Sequence, residues 1–99
     1  MLTKENIIEL IYDAFDEIND NLPNNKKLVK TEDEKIFGQA GKLDSLGLVN
    51  LIVQIETLLY EKFDVLIVLA DEKAMSLQNS PFRDVSSLSN YIFSIAGNN

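Results

Sequence analysis

The chain has 99 residues, 45% of them hydrophobic, and 16 acidic against 9 basic residues give it a formal net charge of −7. That length makes one small domain over residues 1–99 with a modest core, and the acidic excess repels nucleic-acid phosphates and anionic lipid surfaces. Cysteine and histidine are both absent, which removes disulfides, thiolate chemistry, cysteine-ligated zinc and the commonest general base, so the chain does not read as an enzyme.

The start, Met1-Leu2-Thr3-Lys4-Glu5-Asn6, lacks the basic and then uninterrupted apolar run of a signal peptide, and no run reaches the length of a membrane span. The expectation is a cytoplasmic protein with residues 1–2 and 98–99 frayed. Thr3 reads as an N-cap, and Ile7, Ile8, Ile11, Ala14, Phe15, Ile18 and Leu22 recur at helical spacing with acids on the other faces. This predicts a first helix. It stops within Asn19–Asn25, where Pro23 disfavours helical geometry at the residue before it.

From Asn24 to Leu43 the periodicity fades, and the spacing predicts a long ordered loop anchored by Leu28, Val29, Ile36, Phe37 and Leu43. Thr31-Glu32-Asp33-Glu34 fits a capping box and one helical turn. Lys26-Lys27 reads as a solubilising pair.

A second helix is predicted from Ser45 to about Phe63, with Gly47, Asn50, Gln54, Thr57 and Glu61 on a narrow polar strip. Leu46, Val49, Val53, Tyr60 and Phe63 form one apolar side, and Leu48, Leu51, Ile52, Ile55, Leu58 and Leu59 a second. A helix this apolar belongs in the core or leaves part of its surface for partners. Glu56 falls inside the apolar arc and needs a partner, because an unpaired carboxylate is costly to bury. Ahead of this helix, Asp44 and Ser45 each suit an N-cap, whose oxygen accepts from N–H groups that the first turn leaves free.

Val65 to Ala70 is β-branched enough for a strand but has no strand partner in the sequence. A short helix is expected at Asp71–Met75 and another from Asn79-Ser80-Pro81-Phe82, with Ser80 as cap and Pro81 at the first helical position. Phe82 and Val85 should face the core. The last helix follows a Ser86 or Ser87 cap, with Leu88, Tyr91, Ile92, Ile95 and Ala96 as its stripe and Gly97 as its stop. The fold class is therefore all-α: a small up-down bundle of three main helices plus one short helix, with a long loop between the first two.

The run Leu43-Asp44-Ser45-Leu46-Gly47-Leu48-Val49-Asn50-Leu51-Ile52-Val53-Gln54-Ile55-Glu56 resembles the attachment site and second helix of acyl carrier and peptidyl carrier proteins. The likeness extends over nearly the whole chain, from the leading helix and long loop to Phe82-Arg83-Asp84-Val85. It implies an acyl carrier protein-like bundle in which Ser45 is esterified by 4'-phosphopantetheine from coenzyme A, whose thiol holds an acyl or aminoacyl group. Asp44, Leu46 and Leu48 would be the recognition residues near that site, and Val65, Ile67 and Leu69 would drop inward from an extended connection. The implied partners are a phosphopantetheinyl transferase and enzymes that load and process the acyl group, around a monomer with no metal and no catalytic residue of its own. Two features differ from fatty acid carriers. Glu56 is the only acid between Ser45 and Thr57, and the second helix is about one turn longer than is common. The first points to more apolar docking, near Leu48 and Leu51, with Leu48 as plain buried core the alternative; the second points to a specialised stand-alone carrier serving a secondary or polysaccharide pathway. The competing reading is an acidic helical interaction module that is never modified.

Overall fold

The computed structural model describes residues 2–38, 40–69 and 80–96. Helix α1 spans Lys4–Asn19, α2 spans Ser45–Phe63 and α3 spans Val85–Ala96, with a 3-10 turn at Asn24–Lys26. Helix α1 packs against both α2 and α3. Among the described residues there is no strand, only an isolated antiparallel bridge between Lys35 and Asp84.

Helix α1 begins in a reciprocal cap. The Asn6 N–H donates to Thr3 Oγ1 at 3.1 Å and the Thr3 N–H to Asn6 Oδ1 at 3.2 Å, which satisfies two otherwise free donors. Ile7, Leu10, Ile11, Ala14 and Phe15 are its buried face. Leu10, missing from the predicted stripe, belongs there because it stands three residues from Ile7 and four from Ala14. Ile8 is only half-buried. Leu2, expected at a frayed end, is buried against the core.

Helix α2 buries Leu48, Leu51, Ile52, Ile55 and Leu59 and ends where Asp64 turns left-handed at φ 56. There the Val65 N–H donates to Leu59 O at 3.2 Å, and the chain turns back. Residues 65–69 then alternate as expected for an unpaired extended connection. Val65 and Ile67 are half-buried and Leu69 is buried, whereas Leu66 and Val68 face outward. The partner Glu56 needs is found here, since its Oε2 accepts from the Leu69 N–H at 2.7 Å.

The segment before α3 differs from expectation. Ser80–Arg83 closes a single turn, with the Arg83 N–H on Ser80 O and the Phe82 N–H on Ser80 Oγ, and does not start a helix of its own. Neither Ser86 nor Ser87 caps α3. Asp84 does, its Oδ1 accepting from the Ser87 N–H at 2.7 Å. It serves better because Lys35 and Arg83 approach its other oxygen at 3.6 and 3.5 Å. Phe82 and Val85 are buried as expected, and Val85, Leu88, Ser89, Ile92 and Ala96 form the inner face of α3. Ile95 stays 37% exposed, because this arc leaves it on the flank. The helix expected at Asp71–Met75, the stop at Gly97 and the fraying of Asn98–Asn99 lie outside the described residues.

Candidate functional site

The loop from Asn24 to Leu43 is held at both sides, and this positions the start of α2. On one side Ile36 and Val85 exchange backbone bonds with Arg83 O and Glu34 O, while the Leu43 N–H donates to Ile36 O at 2.9 Å. On the other side Lys42 Nζ reaches Glu34 Oε2 at 2.6 Å and Lys27 O at 2.9 Å. Glu34 also accepts from the Val29 N–H. It is thus spent on a strut across the loop and does not serve the capping box predicted at Thr31. Leu28, Ile36 and Leu43 are buried anchors, Phe37 is half-buried, and Val29, expected to anchor, is 52% exposed. Gly41 is required where the loop passes Phe37, since a Cβ there would lie 2.4 Å from the Phe37 backbone.

At the head of α2 the ambiguity between two caps is resolved. Asp44 has extended backbone and its Oδ1 accepts from the Gly47 N–H at 2.8 Å. Gly47 suits this contact because an added Cβ would stand 3.2 Å from that oxygen and from Leu43. Ser45 is therefore the first helical residue. It is exposed, and its hydroxyl has no hydrogen-bond partner among the described residues.

The two leucines assigned to recognition part company. Leu46 is 71% exposed beside Ser45, whereas Leu48 is fully buried and is a core residue, as is Leu51. The side of α2 that contains Leu48 and Leu51 faces its own bundle, so the expected docking side chains are core and offer no surface to a partner. The other apolar side is the open one: Leu46, Val49, Val53 and Tyr60 are all at least 40% exposed and share an arc about 60° wide. No charge lies within it. The nearest, Glu56, is tied to the Leu69 N–H.

Two hollows lie along the first half of α2 and share Leu22 and Gly47. One, of about 390 Å³, lies between Leu22, Pro23 and Lys26 after α1 and Lys42, Leu43, Asp44 and Gly47 before and within α2. The other, of about 440 Å³, continues from Leu22 and Gly47 between α1 (Glu17, Ile18, Asn21) and α2 (Asn50, Val53, Gln54). A third hollow is lined by Leu2, Phe63, Asp64, Val65, Leu66, Ile67 and Ala96. It sits at the far end of α2, about 27 Å along the axis from Ser45.

Sequence reasoning missed the Lys42–Glu34 strut, because nothing in local spacing signals a pair across a loop. Asp84 is the most engaged carboxylate: burial pushes its pKa up, but the Ser87 N–H and hydroxyl and the Arg83 guanidinium outweigh this and hold it below the ordinary value. Among the described residues no three histidine, cysteine or acidic side chains cluster as a metal site, and no helix is long and apolar enough to cross a membrane. Comparison with models of protein families, with curated proteins and with solved structures gives no match.

Proposed function

We propose that this protein is a carrier of the acyl and peptidyl carrier type: a cytoplasmic monomer whose Ser45 accepts 4'-phosphopantetheine from coenzyme A. The observation that carries this reading is the unused serine. Asp44 supplies the cap, so Ser45 heads α2 exposed and with no structural bond to explain it. The resemblance of the Asp44-Ser45-Leu46 run to the family's attachment triplet and the three-helix architecture support the same reading. The residues also suit the group: the first turn of α2 offers N–H donors and partial positive charge to a phosphodiester, with Asp44 opposing it locally.

In the attachment step Ser45 Oγ attacks the pyrophosphate of coenzyme A. The new Oγ–P bond forms as the P–O bond to the adenosine bisphosphate leaving group breaks. The transferase takes the proton and supplies the metal. When attached, the group supplies a flexible arm ending in a thiol, which gives carried acyl or aminoacyl groups a high effective concentration near partner enzymes. Within the chain itself the strut through Lys42 and the Asp44 cap hold Ser45 outward, and Leu46, Val49, Val53 and Tyr60 offer the loading and processing enzymes an uncharged docking stripe. The acyl group and pathway, whether fatty acid, polyketide, nonribosomal peptide or polysaccharide modification, follow from those enzymes.

That same stripe also favours a second reading, an interaction module that docks a protein and carries no group. Intact mass after incubation with coenzyme A and a broad-specificity transferase separates the two. A gain of one phosphopantetheine that Ser45→Ala abolishes is the expected result. No gain overturns the carrier assignment, and a gain mapped to another serine overturns the assignment to Ser45.

A further inference from the structure

The connection that follows α2 has one edge spent and one edge free. In an extended run the N–H and C=O of one residue point to the same lateral edge, and those of the next residue point to the other. The Val65 N–H donates to Leu59 O at 3.2 Å and the Leu69 N–H to Glu56 Oε2 at 2.7 Å, so the odd-numbered residues face α2. Leu66 and Val68 therefore turn their backbone groups the opposite way. Among the described residues neither their N–H nor their C=O groups are hydrogen-bonded. Their side chains, 85% and 74% exposed, are also the most exposed large hydrophobics among the described residues. Two residues of one parity with free backbone groups are what the edge of a β-ladder presents to another strand. Acids bracket the run in the sequence, Asp64 before it and Asp71 and Glu72 after it, while the run itself is uncharged. Beside it a hollow of about 360 Å³ opens between Leu66, Leu2, Phe63, Asp64 and Ala96, room for a side chain of an incoming strand.

We propose that the free edge of residues 65–69 docks an extended segment of a partner protein, apolar along its length and basic at its ends, which pairs with Leu66 and Val68 as an added strand. The formal net charge of −7 opposes a second copy of this chain on that edge and favours a basic partner. The edge lies roughly 16–21 Å along α2 from Ser45, so the inference stands whether or not that serine is modified.

The test uses the unmodified full chain and a synthetic peptide of alternating valine and threonine between lysine pairs, read by amide hydrogen exchange. In the free protein Val65 and Leu69 exchange slowly, Leu66 and Val68 fast. At millimolar peptide Leu66 and Val68 are expected to become protected, while Ile67, whose N–H faces α2, is unchanged. The same peptide N-methylated throughout its valine-threonine run keeps the side chains but has no N–H to donate there, and should protect neither residue. Val68→Pro removes one edge donor and should abolish the protection of Leu66, whereas Val68→Ala keeps the donor and should retain it. Absence of protection with the unmethylated peptide, equal protection by the methylated one, or protection of Leu66 that survives Val68→Pro overturns the strand site. Dimers of the free protein in which Leu66 and Val68 are already protected give the edge to a second copy and overturn the partner.

Discussion

The assignment of the cap to Asp44 and of a free hydroxyl to Ser45 yields a sharp contrast between adjacent residues. Asp44→Ala removes the oxygen that accepts from the Gly47 N–H at 2.8 Å, and loss of such an N-cap costs about 1 kcal/mol, within a range of roughly 0.5–2. Because the site is exposed, water can solvate the abandoned N–H, which favours the lower half of that range. In a domain of this size about 1 kcal/mol lowers Tm by roughly 4–8 °C. Ser45→Ala removes no hydrogen bond and installs the better helix former, so stability should stay within about 0.5 kcal/mol of the parent. Thermal and urea unfolding followed by far-ultraviolet circular dichroism give both values. Asp44→Asn separates two contributions, since it keeps the accepting oxygen but loses the charge that favours the helix N-terminus; only a salt-sensitive part of the loss should appear in it. A Ser45→Ala protein as destabilised as Asp44→Ala, or a neutral Asp44→Ala, would refute the reasoning and return Ser45 to a capping role.

Three further outcomes follow from the packing. Leu48→Ala should cost about 2–5 kcal/mol as a cavity-forming change, and Leu46→Ala less than about 0.5 kcal/mol; equal losses in chemical denaturation would reject the division of α2 into a buried and an open side. Glu56→Ala should leave the buried Leu69 N–H unpaired and destabilise by about 1–3 kcal/mol, with faster hydrogen exchange at that amide; unchanged exchange would show the bond at 2.7 Å to be dispensable. Asp84 has a folded-state pKa below its ordinary value, so its stabilisation is fully present above the unfolded value of about 3.9 and is lost as pH falls through the lower folded value. Asp84→Asn should flatten this acid limb of the stability profile, and an unchanged limb would mean that other carboxylates set it.

Much of the architecture was legible in the sequence because helices announce themselves locally. Periodic apolar residues drew α1 and α2, Thr3 marked the first cap, and Pro23 the end of the first helix. The exposed polar strip of α2 and the need of Glu56 for a partner came from the same angular argument. The lack of a strand partner argued against a paired strand at residues 65–69, and their extended course was what the family resemblance implied.

What periodicity does not contain is which of two apolar sides meets the rest of the chain. Leu46 and Leu48 are equally apolar and two residues apart, yet the packing of the bundle buries one and leaves the other to solvent. The same limit applies to caps. Asp44 or Ser45, and Asp84 or Ser86 or Ser87, are alternatives of nearly equal local preference, and backbone conformation at a single residue, fixed by long-range contacts, chooses between them. Lys42 meets Glu34 and Lys27 only once the loop is closed, and Asn21 faces Asn50 and Gln54 only once α1 lies along α2. The sequence by itself determined the helices and the serine at the head of the second; the tertiary packing alone decided that this serine stands free, because only packing settles which neighbour makes the cap.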